Sequence, residues 1–442
     1  MTYNTSIKDA AQQLGITPQA VHKRIAKGAL VAQKTNNHWL VDDESLLVAQ
    51  KNTPKAGRKR KGTTYLLMNR EYPVMEFSFD ETDCSFLPRE VLDSTRAPLG
   101  TVTRSGKGNA LGLKNWWKHR CIPEGRTGMD NKLAALGVAD ASLIPFRNLG
   151  FSLSDQYWIQ PEGENLAWDE LNYFHNSFGN ANGAWDNWLD EVGLSSPDNT
   201  SEGVLPKKWV HEGSDRILLK GHNPWTDQQV YNEAVATALY RRILDTRDYV
   251  PYEVRNIDGL GVVSVCTCFL RDDEEYVPAS LVHETETTKH NETIYQAIVR
   301  KACNLGIPRH EVELNLSKMI VCDNILANSD RHLRNFGFIR NVETLTWRMA
   351  PLFDNGNSLW FDKSESMVAK EDYSFMSRPF DPNPTRQLLL SLENAWFDLD
   401  LLDGFPQEAI EILENGNISQ WRTEYLEHGI EQRIQTLKII WG

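Results

Sequence analysis

One segment restricts the fold more tightly than any other: NSDRHLRNFGFIRNVETLTWRMAPLFDNG, residues 328–356. Two β-like runs, 336–339 and 345–352, flank a polar turn at 341–343, which predicts a hairpin. A hairpin returns the chain to its starting point, so Asp354 is expected beside Asp330 and Asn335. An isolated D-x-x-x-x-N is a common loop pattern. Here it follows an apolar approach, 319–327, and precedes a hairpin that closes on Asp-Asn-Gly. Side chains of these types in this order suit phosphoryl transfer: Asp330 orients a hydroxyl and takes its proton, while Asn335 and Asp354 hold Mg²⁺ against nucleotide phosphates.

A second set lies upstream, in residues 198–244. The pattern reads as loop, strand, turn and strand, with Lys220 closing the second strand. A helix follows, opened by the capping-box pattern Thr226-Asp-Gln-Gln229, with Glu233 on its second turn. A strand lysine held by a helix glutamate is how kinases grip nucleotide phosphates. Residues 200–207 contain only Gly203 and so lack a GxGxxG loop. Residues 261–269, GVVSVCTCF, read as an apolar strand that breaks into the acidic stretch 271–275. Its end, Cys266 to Phe269, is the expected hinge against which an adenine would lie. Farther upstream, 64–69 and 74–79 predict a strand pair across a turn at 70–73, and 113–119 and 169–178 predict helices. The many aromatics beside Arg120 and Asp155 are expected to pack as core. Beyond Ile294 the chain is mainly helical by pattern, including 294–305 and 406–414.

The chain has 442 residues, enough for two or three domains. No run has the apolar length of a membrane span, and the polar start is unlike a signal peptide, so a cytoplasmic protein is expected. Six cysteines lack zinc-finger spacing and are expected as buried thiols. The net charge of −13 is unevenly placed: residues 1–62 hold eleven Lys and Arg against four Asp and Glu, a net +7, leaving −20 for the rest. Nucleic acid, if bound, is therefore expected at the basic head.

Within the head, Thr5-Ser6 caps an amphipathic stretch, 7–14. Gly15 suits its end, and Thr17-Pro18 opens a second helix, 18–27. That helix turns Gln19, His22, Lys23, Arg24 and Lys27 away from the apolar Ala20, Val21 and Ile25, as a major-groove recognition helix does. Runs at 30–31 and 38–41 around a polar tip, 34–37, predict a wing. Over about fifty residues the head resembles the helix-turn-helix of excisionase and MerR-type proteins, which implies DNA binding. Residues 51–62, KNTPKAGRKRKG, read as a flexible linker whose Arg58–Lys61 cluster adds phosphate contacts.

The body, residues 65–442, resembles the HipA-like serine/threonine kinases of bacterial toxin-antitoxin systems. The resemblance rests on SEGVLPKKWV, RILLKG, NEAVATAL, NSDRHLRNFGF and PLFDNG. It implies an α+β, two-lobed protein-kinase-like fold with a mixed N-lobe and a mainly helical C-lobe, here preceded by a small winged helix-turn-helix. The expected division is 1–50 for the head, 51–63 for the linker, 64–270 for the N-lobe with its N-terminal subdomain, and 271–442 for the C-lobe. The resemblance further implies ATP and Mg²⁺ as cofactors and protein hydroxyls as acceptors. Lys220 is then on the ATP phosphates, Asp330 is the base, and Asn335 and Asp354 are on Mg²⁺. Glu233 is carried over as the partner of Lys220. Some relatives regulate themselves by autophosphorylation in the phosphate-binding loop, where Thr200 and Ser201 are the matching hydroxyls. HipA-like toxins usually work with a separate DNA-binding antitoxin, whereas this chain reads as carrying its own head, which makes a phage or mobile-element regulator credible. Two other readings stay open: a DNA-binding transcription regulator whose body senses nucleotide, and a small-molecule or lipid kinase.

Overall fold

A computed structural model describes residues 3–14, 18–26, 28–35, 38–52, 62–121, 140–176, 178, 197, 205–391 and 396–441. The chain divides into two compact units, Met1–Gly62 and Thr63–Gly442.

In the first unit, helices Ile7–Leu14, Pro18–Ala26 and Asp43–Asn52 accompany an antiparallel sheet of β1 (Tyr3–Ser6), β2 (Ala32–Thr35) and β3 (His38–Asp42), in the order β1-β3-β2. The Ser6 hydroxyl accepts the Asp9 N–H at 3.1 Å and so caps the first helix. The core is Ala10, Ala11, Leu14, Val21, Leu30, Val41 and Leu46. Two readings are corrected here. The strand expected at 30–31 lies at Ala32–Thr35, because Leu30 is buried in the core. The third helix was not foreseen: Asp42 accepts the Ser45 N–H at 3.0 Å and starts a helix that keeps Lys51 and Asn52 out of the linker. The first inter-helix turn, 15–17, and residues 53–61 of the linker lie outside the described residues.

The second unit opens with an antiparallel sheet of β4 (Thr63–Asn69), β5 (Tyr72–Asp80), β6 (Ser85–Val91) and β7 (Tyr157–Pro161), ordered β6-β5-β4-β7. Its turn is tighter than the one expected at 70–73, with Arg70 in the left-handed region at φ 53. Phe77, Phe79 and Phe86 meet Leu113, Trp116 and Trp117 of helix Ala110–Lys118. The expected helix 169–178 is cut to Trp168–Leu171. The cause is Asn172, whose side-chain oxygen accepts the N–H groups of Phe174 and His175, both at 2.8 Å, and diverts the backbone. Cys266 and Cys322 are buried, but the other four cysteines are only half-buried.

Two further sheets frame the region of interest. β8 (Lys207–Glu212), β9 (Asp215–Lys220), β10 (Glu253–Ile257) and β11 (Gly261–Thr267) run in the order β10-β11-β9-β8. The period-two alternation of β9 sends Ile217 and Leu219 into a core with Val210, Val263 and Val265, and therefore sends Leu218 and Lys220 to the opposite face. The third sheet joins β12 (Glu274–Pro278), β13 (Gly337–Asn341) and β14 (Trp347–Met349). β14 is shorter than the run 345–352, because Leu352 leaves the hairpin: its N–H bonds the Asp248 carbonyl at 2.8 Å and its carbonyl accepts the Val250 N–H at 2.9 Å.

The largest core gathers helices Gln228–Ile243, Ile294–Asn304, Arg309–Ile325, Phe405–Leu413 and Gln420–Trp441. Thr293 and Gln296 form a complete capping box on one of them. The box expected at Thr226 and Gln229 does not form, because the Gln229 side chain is used elsewhere. Among the described residues, no helix is long and apolar enough to cross a membrane.

Candidate functional site

Lys220 ends β9 on the face away from the sheet core, so its chain reaches into the protein rather than into water. Its ammonium pairs with Glu233 and, at 2.6 Å, with Asp354. The lysine side chain is 4% exposed, Glu233 1% and Asp354 30%, so one face of the cluster opens to solvent through Asp354. Burial opposes ionisation of the Asp354 carboxyl, but the charge of Lys220, with Lys207 and Arg331 adding to it, holds it well below its ordinary range. Burial likewise opposes the Lys220 charge, and Asp354 and Glu233 overcome it, raising the ammonium above its usual value. Asp354 sits in the left-handed region at φ 61, a conformation that costs free energy in a non-glycine residue and is held here by its partners. The second oxygen of Glu233 accepts the Asn355 N–H at 2.8 Å, so one glutamate ties the lysine strand to the loop that carries Asp354.

Arg331, fully buried, joins that loop to the one carrying Asp330 and Asn335. Its guanidinium makes a two-pronged bond to Asp323 at 2.9 and 3.0 Å, donates to the carbonyls of Asn335 (2.7 Å) and Phe353 (2.6 Å), and reaches the Asn355 side chain at 2.7 Å. One planar group thus makes five of these bonds, and Asn328 Nδ2 (3.0 Å to Asp323 Oδ1) and the Tyr240 hydroxyl (2.7 Å to Asn355 Oδ1) add to them. The loop itself is shaped by side chains bonding backbone: Asn328 accepts the Asp330 N–H at 2.9 Å, and the Asn335 Nδ2 donates to the Asp330 carbonyl at 3.0 Å. The latter bond uses the amide nitrogen of Asn335 and turns its oxygen the other way.

The Asp330 carboxylate is half-exposed. Its Oδ2 accepts from Asn357 Nδ2 at 2.8 Å; Arg378 stands 3.6 Å from Oδ1, and His332 is 4.0 Å away. Burial lowers the His332 imidazole from its ordinary value and so favours the neutral ring, against the pull of the Asp330 charge toward the protonated form. Oδ1 thus faces the open side with no hydrogen bond as close as the one on Oδ2.

The structure therefore brings Lys220, Glu233, Asp330, Asn335 and Asp354 into one neighbourhood. The two residues expected at the hinge lie near it in different ways. Phe269 stacks on Phe353 with ring centres 5.5 Å apart, next in sequence to Asp354. Cys266 is buried against Tyr252, and burial pushes its thiol up to about 12. The Cys268 N–H is already bonded to the Arg216 carbonyl at 2.7 Å, so that backbone donor of the expected hinge is committed.

In the head, His22 and Lys23 are exposed on helix Pro18–Ala26 and Arg24 is half-buried, while Val21 is in the core. The side chain of Gln19, and Lys27, Thr200 and Ser201 altogether, lie outside the described residues.

Sequence reasoning missed Arg331, Asn355, Asn357 and the roles of Gln228, Gln229 and Asn232, which share a polar face with the expected Glu233. That helix face is buried and bonds the loop 355–359: Asn232 donates to the carbonyls of Gly356 and Ser358, both at 2.8 Å, and Gln228 to that of Leu359 at 2.9 Å. The approach is close at Gly356, where a Cβ would lie 3.3 Å from the Gln229 carbonyl. The available signal was the run Gln-Gln-x-x-Asn-Glu on a helix otherwise too apolar to be exposed.

The donor set fits a hard cation shared with a polyphosphate: one ionised carboxylate, one amide oxygen turned outward, and a lysine beside them. Among the described residues no group of three or more His, Cys, Asp and Glu gathers as a self-sufficient metal cage. Mg²⁺ commonly takes only one or two protein ligands and completes its shell with phosphate and water.

Residues 203–399 match the HipA-like C-terminal domain, and that span contains all five clustered residues. No functionally curated protein matches the chain at a significant level. Among solved structures, a chain of the Shewanella oneidensis MR-1 toxin-antitoxin complex of HipA, HipB and operator DNA is 13% identical, with 85% of this chain and 97% of that one covered at a TM-score of 0.53. The Helicobacter pylori proinflammatory kinase CtkA is 18% identical, covering 53% of this chain and 92% of that one at a TM-score of 0.43. The body is thus a mixed α and β structure with a HipA-like C-terminal domain, and at the first of these two scores the likeness is one of fold.

Proposed function

We propose that the body is an ATP- and Mg²⁺-dependent protein serine/threonine kinase of the HipA-like type, with residues 64–270 and 271–442 as its two lobes. The observation that carries this reading is the buried Lys220, paired at once to Glu233 and to Asp354 across the segment that Arg331 ties to Asp330. A lysine pinned on one side by a buried glutamate presents a fixed positive charge to a polyphosphate, which suits positioning better than a mobile surface lysine would. Bound Mg²⁺ supplies neutralisation of developing phosphate charge, and Asp354 and the outward oxygen of Asn335 are the residues that would hold it. Asp330 Oδ1 faces the open side and takes the proton of the incoming hydroxyl, while Oδ2 stays bonded to Asn357.

The test uses purified protein with labelled ATP and Mg²⁺, with and without host lysate, comparing the parent with Asp330→Ala. Label transfer by the parent and its loss in the variant, with ATP binding retained because Lys220 and the metal ligands remain, is the expected result. Equal transfer by both proteins would remove the reading. The same reaction examined by mass spectrometry addresses self-modification: phosphate on Thr200 or Ser201 supports autoregulation, and an unmodified segment counts against it.

A DNA-binding head belongs to the same proposal, with Gln19, His22, Lys23, Arg24 and Lys27 as the contacting face. Its support is the +7 charge of residues 1–62 and the exposure of His22 and Lys23 on one short helix. The Shewanella complex contains operator DNA, so fold relatives of the body work in a DNA setting. Should Asp330→Ala leave function in cells intact while deletion of residues 1–62 abolishes it, the alternative of a nucleotide-sensing regulator takes over. Deletion is expected to abolish operator-type binding, and binding that survives with unchanged salt dependence would exclude the head as the reader.

A further inference from the structure

The hydrogen bond on Asp330 Oδ2 is one end of a chain. Asn357 Nδ2 donates to Asp330 at 2.8 Å, Gln229 Nε2 donates to Asn357 Oδ1 at 2.7 Å, and Asn223 Nδ2 donates to Gln229 Oε1 at 2.7 Å. An ionised carboxylate can only accept, so Asn357 must present its NH₂ group to Asp330 and its oxygen to Gln229. The same logic then sets Gln229 and Asn223 in turn. Asn223 obeys it independently, since its own oxygen is already used by the N–H groups of Trp225 at 2.9 Å and Thr226 at 3.0 Å. The polarity of three successive amides is therefore dictated by one carboxylate.

The chain is well anchored. Gln229 is buried, and the Asn357 carbonyl is held by the N–H and the hydroxyl of Ser329, both at 3.3 Å. Gln229 stands one helical turn before Glu233, so the two share a face: one reaches the Asp330 side of the site and the other reaches Lys220. Asn357 has both ends of its amide committed, which separates it from Asn335, whose side-chain amide is bonded to Asp330 through its nitrogen.

We infer that Asn357, held by Gln229, is a positioning residue for the Asp330 carboxylate, and that Asn223 carries this control back to the turn that follows the Lys220 strand. The inference rests on the reading of Asp330 as the base. One oxygen is fixed by the neutral amide, so the other is aimed at the open side in a single rotamer. Movement of the Asn223 turn when Lys220 engages phosphate is then transmitted to the base through three amides.

The experiment is steady-state phosphoryl transfer by the full chain with Mg-ATP, with Asp330→Ala as reference. Asn357→Ala is expected to lower kcat about 10- to 100-fold, in the range typical of supporting hydrogen bonds, with KM for ATP and the Mg²⁺ requirement nearly unchanged. Asn357→Asp keeps the shape but replaces the donor with an acceptor that brings negative charge against Asp330, so it should fall at least as far. Gln229→Ala should lose activity in the same parameter, and the double variant should be no worse than Asn357→Ala, because both act through one chain. Multiplicative losses in the double variant, a change in KM alone, or a raised Mg²⁺ requirement would overturn the inference, the last by making Asn357 a metal ligand. Independently of activity, a crystal structure of Gln229→Ala should show the Asn357 amide turned from Asp330; an unmoved contact overturns it as well. If Asp330→Ala turns over like the parent, the reading of the base fails. If Asp330→Ala is dead and Asn357→Ala is undiminished, only the positioning chain fails.

Discussion

Lys220→Met is the perturbation whose consequences the structure states most fully. The substitution keeps an unbranched chain of similar length and removes the one positive charge between Glu233 and Asp354. At an effective dielectric of about 20, two unit charges about 4 Å apart attract by roughly 4 kcal/mol, and Lys220 has two such partners, offset by the desolvation of all three groups. What remains after the substitution is a buried glutamate stripped of its ion pair and a partly buried aspartate left to the longer-range charges of Lys207 and Arg331; removing one partner of such a buried pair typically destabilises by about 3–5 kcal/mol. The pH dependence gives the sign. Asp354 is depressed in the folded protein, so its contribution is present above its ordinary 3.8 and is lost as pH falls below that value. The raised Lys220 contributes below its ordinary 10.5 and loses its contribution only far on the alkaline side. Urea unfolding followed by tryptophan fluorescence should therefore show a large gap between parent and Lys220→Met at neutral pH that narrows on acidification past 3.8. Adding Glu233→Gln should recover part of the loss, since the amide keeps an oxygen for the Asn355 N–H without a stranded charge. A neutral-pH loss below about 1 kcal/mol, the size of an exposed pair, or a gap that ignores acid, would refute the reasoning.

Two further perturbations test the frame around the site. Burial, with the charge of Asp155 adding and Arg340 opposing, pushes Glu275 up to about 7 from its ordinary 4.5, so the parent should lose about 3 kcal/mol of stability as pH rises through that window. Glu275→Gln should flatten this slope in urea titrations, and an unchanged slope would remove Glu275 as its source. A Cβ at Gly337 would lie 2.3 Å from the Val277 carbonyl and 2.8 Å from Pro278 Cα. Gly337→Ala must therefore part β12 from β13 at a cost of about 1–3 kcal/mol, read as a lowered melting temperature; an unaltered melting curve would contradict the register.

Local pattern reached far in this chain because several elements obey short-range rules. β9 alternates and ends on Lys220, helix Ile294–Asn304 begins at a capping box, and β13 and β14 pair across a polar turn as their composition demands. It failed where a side chain chose a partner that spacing does not reveal. Gln229 stands where a capping box would use it, yet it bonds Asn223 and Asn357. Asn172 sits inside a helical pattern and ends it by taking two backbone N–H groups. Asp42 starts a helix in a stretch whose apolar residues, 46–49, run consecutively instead of at helical spacing.

The residues 328–356 by themselves determined that Asp330, Asn335 and Asp354 would bracket a hairpin, and the upstream pattern determined that a strand lysine would precede a helix glutamate. Those are consequences of periodicity and turn chemistry, which act over a few residues. Tertiary structure alone decided that the loop 355–359 would be held by the buried polar face of helix Gln228–Ile243 and that Arg331 would join the two loops. The reason is physical. An irregular buried segment has N–H and C=O groups that no ladder satisfies, and their partners must come from whatever side chains packing brings near. Here those partners lie more than 120 residues away, at Asn232 and Glu233, and satisfying the loop is also what places Asp354 against Lys220.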